Sequence, residues 1–375
     1  MKMQSFCVQQ NNPVMPDGDI VTPIHTSVIF AMDTLSSDTG PQYGRIHNRT
    51  RADLERVVAG IHHAAFGIAT TNGSAAITMT CLLLSQHSTI LHHTELYEGT
   101  RRILHTVMRP FGVTGVPVNF HDLILAEEQI RTMKPALVWI ETPTNPSLRV
   151  LDISKIASLS HTNGALLAVD TTICSGVLQN PLMHGADIVV ESLTKGLNGH
   201  SDALGGFIGT NDKQLADRLR FLAQTTGSVL DPVSASLILR GIKTAPVRMK
   251  AQQQTAKIVA KWLNHHPLVT HVMTPGIHTP AERLLVRQQM SGKGQLVSFV
   301  LKHDVDSASV AKKLKLILIS HSFGGVETII QHPASMMDWS DVSEQFRPDM
   351  HLFRLSVGLE HPDDIVNDLK QALEE

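Results

Sequence analysis

The sequence predicts an α/β protein whose mostly parallel sheet carries helices on both faces and is followed by a smaller α+β unit. Three observations predict it. Short apolar runs recur at residues 66–69, 89–91, 136–140, 165–169, 188–190 and 206–209, each the length of a buried strand. Segments with apolar residues at helical spacing, at 74–84, 123–133 and 153–162, separate most of these runs, as expected of strands joined by crossover helices. After about residue 230 the rhythm changes to one long helical stretch followed by runs without regular helical alternation.

Taken in order, residues 1–45 hold prolines, glycines and polar residues with little periodicity, and are expected to form an extended arm that docks on something rather than a packed unit. At Thr50 the pattern Thr-Arg-Ala-Asp predicts a capping box, and Leu54, Val57, Val58 and Ile61 follow at helical spacing. The alternating half then runs to about residue 235. Beyond it one helical stretch is predicted over 232–263, apolar runs over 268–273, 296–301, 316–320 and 353–357, and helices over 307–314 and 363–373. At 375 residues, with about 150 residues per domain as the prior, the expected division is an arm over 1–45, a large domain over 46–235 and a small domain over 236–375.

Composition narrows the function. The chain has 32 basic and 34 acidic residues and a net charge of −2, so it carries no electrostatic footprint for nucleic acid or an anionic membrane, and small-molecule chemistry is expected. Cys7, Cys81 and Cys174 are far apart without a CxxC spacing, which predicts free thiols in a reducing compartment. With no run approaching the ~20 apolar residues of a membrane span and no signal-like segment, a cytoplasmic protein is expected. The 21 histidines include the adjacent pairs His62-His63, His92-His93 and His265-His266, whose side chains diverge; neither HExxH nor HxxEH occurs, and no metal is expected.

The densest chemistry lies in Ser192-Leu-Thr-Lys-Gly-Leu-Asn-Gly-His-Ser-Asp202. Lys195 follows a strand end bearing Ser192 and Thr194; in isolation it reads as a surface lysine, and its partners change that reading. Asp170 ends an apolar run, where a parallel strand delivers it to the carboxyl edge of the sheet, the usual ligand crevice, although alone it reads equally as a helix N-cap. A lysine for a Schiff base, hydroxyls for a phosphate and a carboxylate for a pyridinium nitrogen are what pyridoxal phosphate (PLP) requires of a protein. In Thr71-Asn-Gly-Ser-Ala-Ala76, Gly73 permits close approach and free helix amides offer a phosphate site, a pattern shared by many strand-to-helix turns. The two tyrosines, Tyr43 and Tyr97, sit beside glycine-containing turns; a tyrosine stacks on a ring or bonds a phosphate, and Arg45 can clamp one, the alternative being loop and surface residues. Arg354 interrupts an apolar run, so it either snorkels or binds a carboxylate.

Asp170-Thr-Thr, the Lys195 segment, Glu141-Thr-Pro-Thr-Asn-Pro146, Gly324-Gly-Val-Glu327 and Arg354-Leu-Ser-Val-Gly-Leu-Glu360 together resemble the Cys/Met-metabolism PLP-dependent family, from about Tyr43 to the C-terminus. That family contains cystathionine β-lyases, γ-lyases and γ-synthases and methionine γ-lyases. The resemblance implies an aspartate-aminotransferase-like (fold type I) architecture with PLP on Lys195, Asp170 at the ring nitrogen and Tyr97 stacked on the ring and serving catalysis. It implies that Gly73, Ser74, Ser192 and Thr194 bind the phosphate and that Asn145 lies near the ring hydroxyl. Ser322 and Arg354 would hold the substrate carboxylate with His321 nearby, and Tyr43 and Arg45 would reach the phosphate of a neighbouring subunit in a homotetramer built from dimers. Three positions depart from the commonest pattern: Arg49 stands in place of proline, Thr171 of asparagine and Ser74 of an apolar residue. Tyr97-Glu98, His321-Ser-Phe323, Tyr43-Gly-Arg45 and Gly176-Val-Leu178 look more like β-lyases than the other members. The expected reaction is therefore C–S β-elimination from cystathionine, with γ-lyase, γ-synthase or methionine γ-lyase as alternatives. An aminotransferase or a catalytically silent binding protein on the same fold is a more distant reading.

Overall fold

The apolar runs become strands because their successive side chains enter two different cores. The structure, a computed structural model, describes residues 1–10, 18–32, 35, 42–340 and 347–374. Strands β1 (Phe66–Thr70), β2 (Thr89–His93), β3 (Thr114–Val118), β4 (Leu137–Glu141), β5 (Leu166–Asp170), β6 (Ile188–Ser192) and β7 (Gly206–Thr210) form one sheet in the order β1-β7-β6-β5-β4-β2-β3. From β3 to β6 neighbours are parallel, and β7 runs antiparallel between β6 and β1, so the sheet is mostly parallel as expected. On β4, Val138 and Ile140 join the core that holds Leu54, Val57 and Ile61 of helix Arg49–Ile61 and Ile153 and Ile156 of helix Ile153–Thr162. Leu137 and Trp139 join the opposite core, with Ala76 and Ile77 of helix Gly73–Cys81 and Leu219 of helix Lys213–Thr226. Side chains alternate across a strand, so a strand covered on both faces must be apolar throughout, each buried Val or Leu contributing about 1.5–3 kcal/mol.

A second sheet, in the order β10-β11-β12-β9-β8, is formed by β8 (Val269–Met273), β9 (Leu296–Leu301), β10 (Leu318–Ile319), β11 (Ile329–Gln331) and β12 (Leu352–Ser356). One face packs Val297, Phe299, Phe353 and Leu355 against Val259 and Leu263 of helix Ala245–Leu263 and Ile365 and Leu369 of helix Pro362–Glu374. The other face of β12 carries Arg354 back toward the large sheet, where its guanidinium meets Asn145.

Several expectations are corrected. The first residues of the expected arm form a helix, Met3–Gln9, whose Cys7 is buried, and Gln10 Nε2 donates to Leu239 O at 2.6 Å. A single apolar contact stripe on so short a helix leaves little periodicity to read. Asn48, not Thr50, caps helix Arg49–Ile61, its side chain accepting from Arg51 N. Thr50 Oγ1 instead donates to Pro23 O and accepts from His25 N, tying the arm to the helix. The stretch 232–263 is two helices, Pro232–Ile242 and Ala245–Leu263, because Pro246 lies in the first turn of the second, where its missing N–H costs least. Strand β3 escaped the sequence reading because Gly115 and Pro117 interrupt it; it is an edge strand, where proline is tolerated.

Among the described residues the three cysteines are buried and free, and no helix is long and apolar enough to cross a membrane.

Candidate active site

Parallel strands deliver their last residues to one edge, and three adjacent strands end there in polar side chains. Glu141 of β4 stands in register with Asp170 of β5, and β6 ends at Ser192. These residues open into a cavity of about 450 Å³, a volume suited to a cofactor with a small substrate. Gly73, Ser74, Tyr97, Asn145, Thr194, Lys195, His321, Ser322, Phe323 and Arg354 line the same cavity.

The turn after β6 presents Lys195. Gly199 N donates to Lys195 O at 2.8 Å, and the turn is held from outside by the buried Arg248, which donates to Gly196 O, Leu197 O, Asn198 O and Gly241 O at 2.9–3.3 Å. Gly199 has φ +70°, and a Cβ there would stand 1.8 Å from Arg248 Nη1, so glycine is required on both counts. The ammonium of Lys195 donates to Ser322 Oγ at 2.5 Å and lies 5.1 Å from the Phe323 ring centroid. Burial, and then the charge of Arg354, lower its pKa to about 8, which brings a lysine into the range of a nucleophile and base.

Asp170 is buried; its Oδ1 accepts from Thr172 N at 2.9 Å and Thr172 Oγ1 at 2.6 Å, and among the described residues no bond to Oδ2 is formed. Burial raises its pKa to about 6 in spite of the Thr172 bonds. Thr172 Oγ1 also accepts from Ser192 N at 2.9 Å, joining the two strand ends. Glu141 is held well above the ordinary carboxylate range by burial and by Asp170 beside it, and its Oε2 accepts from Tyr97 N at 2.7 Å. That bond sets Tyr97 at the N-cap of helix Glu98–Arg102.

At the opposite wall, Arg354 Nη1 donates to Asn145 Oδ1 at 2.6 Å and Nη2 to Ser322 O at 2.8 Å, while its buried Nε has no partner. Burial lowers its pKa to about 10, leaving it charged at neutral pH. The Ser322 backbone has φ +86° and Gly324 has φ +87°; a Cβ on Gly324 would lie 2.7 Å from Gly196 N, so this loop packs directly on the lysine turn.

The residues present fit a phosphate-bearing pyridine. A Cβ on Gly73 would lie 2.9 Å from Ser192 Cβ, so only glycine lets the first turn of helix Gly73–Cys81 approach the β6 end, and Gly73, Ser74 and Ser192 line the cavity together. Asp170 Oδ2 offers a buried acceptor for a protonated ring nitrogen. Thr194 Oγ1 accepts from Gly205 N at 3.1 Å.

The structure thus brings the expected Lys195, Asp170, Tyr97, Gly73, Ser74, Asn145, Ser192, Thr194, His321, Ser322 and Arg354 to one cavity. It places Tyr43 and Arg45 outside it: Arg45 Nη1 donates to Gln224 O at 2.5 Å, and the guanidinium lies 5.7 Å from the Tyr43 ring centroid. Sequence reasoning missed Glu141, Thr172 and Arg248 as members of the site's framework. The first two lie inside motifs already singled out, and Arg248 gives no local signal because its partners are backbone carbonyls.

Comparison with known proteins agrees. Residues 5–374 match the model of the Cys/Met metabolism PLP-dependent enzymes. The chain is 37% identical to a cystathionine gamma-lyase of Dictyostelium discoideum over 95% of this chain and 93% of the relative. It is 36% identical to a cystathionine gamma-synthase of Mycobacterium tuberculosis (95% and 92%) and 33% identical to a cystathionine beta-lyase of Coxiella burnetii (95% and 93%). The crystal structure of cystathionine gamma-lyase from Lactobacillus plantarum superposes with a TM-score of 0.95 at 32% identity, covering 99% of this chain and 98% of that one. A match of this extent in sequence and structure makes the chain a member of the Cys/Met metabolism PLP-dependent enzymes, the trans-sulfuration family that acts with pyridoxal phosphate.

Proposed function

We propose that the chain is a carbon–sulfur lyase that cleaves cystathionine by β-elimination, giving homocysteine, pyruvate and ammonia. The observation that carries this reading is the convergence of Lys195, Asp170, Tyr97 and Arg354 on one cavity from four separate elements. PLP, when bound, supplies an electron sink that stabilises negative charge at the substrate Cα. Lys195 would attach the cofactor, Asp170 would keep a proton on the ring nitrogen, and Tyr97 would pack on the ring. The amides of Gly73 and Ser74 with the hydroxyls of Ser192 and Thr194 would hold the phosphate, and Asn145 would serve the ring hydroxyl.

Arg354, which lines the cavity and whose Nε has no partner, receives the substrate carboxylate, and Ser322 borders that subsite. Lys195 would take the Cα proton, and its lowered pKa gives it a neutral fraction at working pH. The thiolate then leaves from Cβ. β-Elimination needs one proton removed by one base, and among the described residues Lys195 is the lysine that lines the cavity. His321, whose Nδ1 is 3.5 Å from Gln331 Nε2, and Glu98 line the same cavity, which supports a role for them toward the distal half of the substrate.

γ-Elimination is the second reading, favoured by the gamma-lyase names of the D. discoideum and L. plantarum relatives. Incubation with cystathionine separates the two: pyruvate with homocysteine means β-elimination, and 2-oxobutyrate with cysteine means γ-elimination. Neither product would redirect the reading to activated homoserine esters or methionine. Sustained ammonia release excludes an aminotransferase.

For the assembly we infer a cytoplasmic homotetramer of dimers in which Tyr43 and Arg45 reach the phosphate of a neighbouring subunit. The exposed Val28 and Ile29, which pair with Gly44 and Tyr43, support a subunit contact there. Light scattering gives the mass, and an Arg45→Ala protein that keeps its cofactor affinity would sink the role given to Arg45.

A further inference from the structure

Strands β9 and β12 are antiparallel neighbours, with Leu352 opposite Val300 and Leu301 N donating to His351 O at 3.0 Å. Their paired ends therefore set His303, just beyond β9, beside His351, just before β12. The two imidazoles meet edge to face with centroids 4.9 Å apart. Asp349 closes the group: its Oδ1 accepts from His351 N at 2.8 Å and its carbonyl from Leu352 N at 3.1 Å, so the turn that holds the carboxylate also fixes the second histidine. We infer that His303, Asp349 and His351 form a binding site for a borderline divalent cation such as Zn²⁺, outside the active-site cavity.

Two imidazoles and one carboxylate form a donor set that suits Zn²⁺, Co²⁺ or Ni²⁺ rather than Ca²⁺ or Mg²⁺, which prefer oxygen ligands. One ligand atom from each residue lies within 4.8 Å of the others. Zinc bonds of about 2.1 Å place tetrahedral donors about 3.4 Å apart, so the set must contract by up to about 1.4 Å. Side-chain rotation supplies that, because His303 and Asp349 are exposed. An independent observation points the same way: His351 Nδ1 is shielded from solvent and has no hydrogen-bond partner. A shielded polar atom left unpaired is destabilising, and a bound cation supplies the missing partner. Asp304 and Asp306 line the adjoining hollow and add negative charge. The absence of adjacent chelating pairs in the sequence does not bear on this group, because the sheet, not local spacing, brings the two histidines together.

The consequence is mechanical. The cation would clip β9 to β12, and β12 carries Arg354 three residues beyond His351. The three cysteines are buried, and among the described residues no other group of this kind occurs, so uptake by the folded protein reports on this site.

The test uses PLP-loaded protein freed of metal by chelation and titrated with ZnCl₂ by calorimetry, with Co²⁺ absorption as a second readout. Uptake of about one equivalent per chain at micromolar concentrations is expected, with a rise in the melting temperature. His303→Ala and Asp349→Ala should each weaken uptake at least about tenfold and abolish the melting shift, while turnover without metal stays unchanged. His351→Asn serves as a third variant that keeps a polar side chain in the turn. Equal uptake by the wild type and all three variants, or no saturable uptake at micromolar metal, would mean an adventitious ion only and would overturn the site.

Discussion

Lys195 Nζ donates to Ser322 Oγ at 2.5 Å, joining two residues 127 positions apart in the chain. The bond spans the two sheets: Lys195 sits on the turn after β6, and Ser322 precedes the strand pair β11–β12 that carries Arg354. The base and the carboxylate-binding arginine are therefore positioned by one shared contact, since Arg354 Nη2 also donates to Ser322 O.

Replacing Lys195 removes both the covalent attachment and the base. Lys195→Ala is expected to lose the borohydride-stable linkage and to slow elimination by about 10²–10⁴-fold, the range of a general base. Mass spectrometry of the reduced protein and steady-state rates check it. A linkage that persists in the variant would refute the assignment.

Asp170 sets a pH dependence in the cofactor-free protein. Its pKa is raised by burial from 3.8 to about 6, so between those values the folded form binds the proton more tightly than the unfolded chain. The stability this contributes is complete below the unfolded value and is lost as pH rises through 6, a change of about 3 kcal/mol. Denaturant melts at pH 4 and pH 7 should show a larger fall for wild type than for Asp170→Asn. With PLP present the carboxylate gains a cationic partner, and the same variant should lose about 10²-fold in turnover.

Arg354 grips with a fork that lysine cannot reproduce. Arg354→Lys loses one of the bonds to Asn145 and Ser322 and the free Nε. The KM for cystathionine should rise at least about tenfold, with a smaller change in kcat, because a carboxylate bonded in both ground and transition states contributes mainly to binding.

Arg248 acts at a distance from the substrate. It donates to four backbone carbonyls around the lysine turn, and Arg248→Ala takes the donor from Gly196 O and Leu197 O, while Gly241 O keeps Thr244 N and Asn198 O keeps its contact with His200 Nδ1. A loss of about 3–5 kcal/mol in stability is expected, read as a lower denaturant midpoint. Arg248→Lys should recover only part of it, since one ammonium cannot reach four carbonyls.

The alternation of strand and helix was legible because a parallel sheet covered on both faces leaves continuous apolar runs, as in Leu166–Asp170. Where a strand lies at an edge, as β3 does, or a helix is short and stripe-bound, as Met3–Gln9 is, that signal fades. The site was legible where chemistry interrupts pattern: Lys195 in a glycine-rich turn, Asp170 at a strand end, Arg354 inside an apolar run.

By itself, the sequence determined the cofactor chemistry and the alternation of the buried strands with their helices, because both depend on local pattern and on residue types that few other roles explain. Only the tertiary structure decided that Glu141 backs Tyr97, that Thr172 joins Asp170 to Ser192, and that Arg248 pins the turn from another helix. It also set His303 beside His351. These pairings depend on strand register and on helices packing across the sheets, and a hydrogen bond to a distant backbone carbonyl leaves no mark on local sequence.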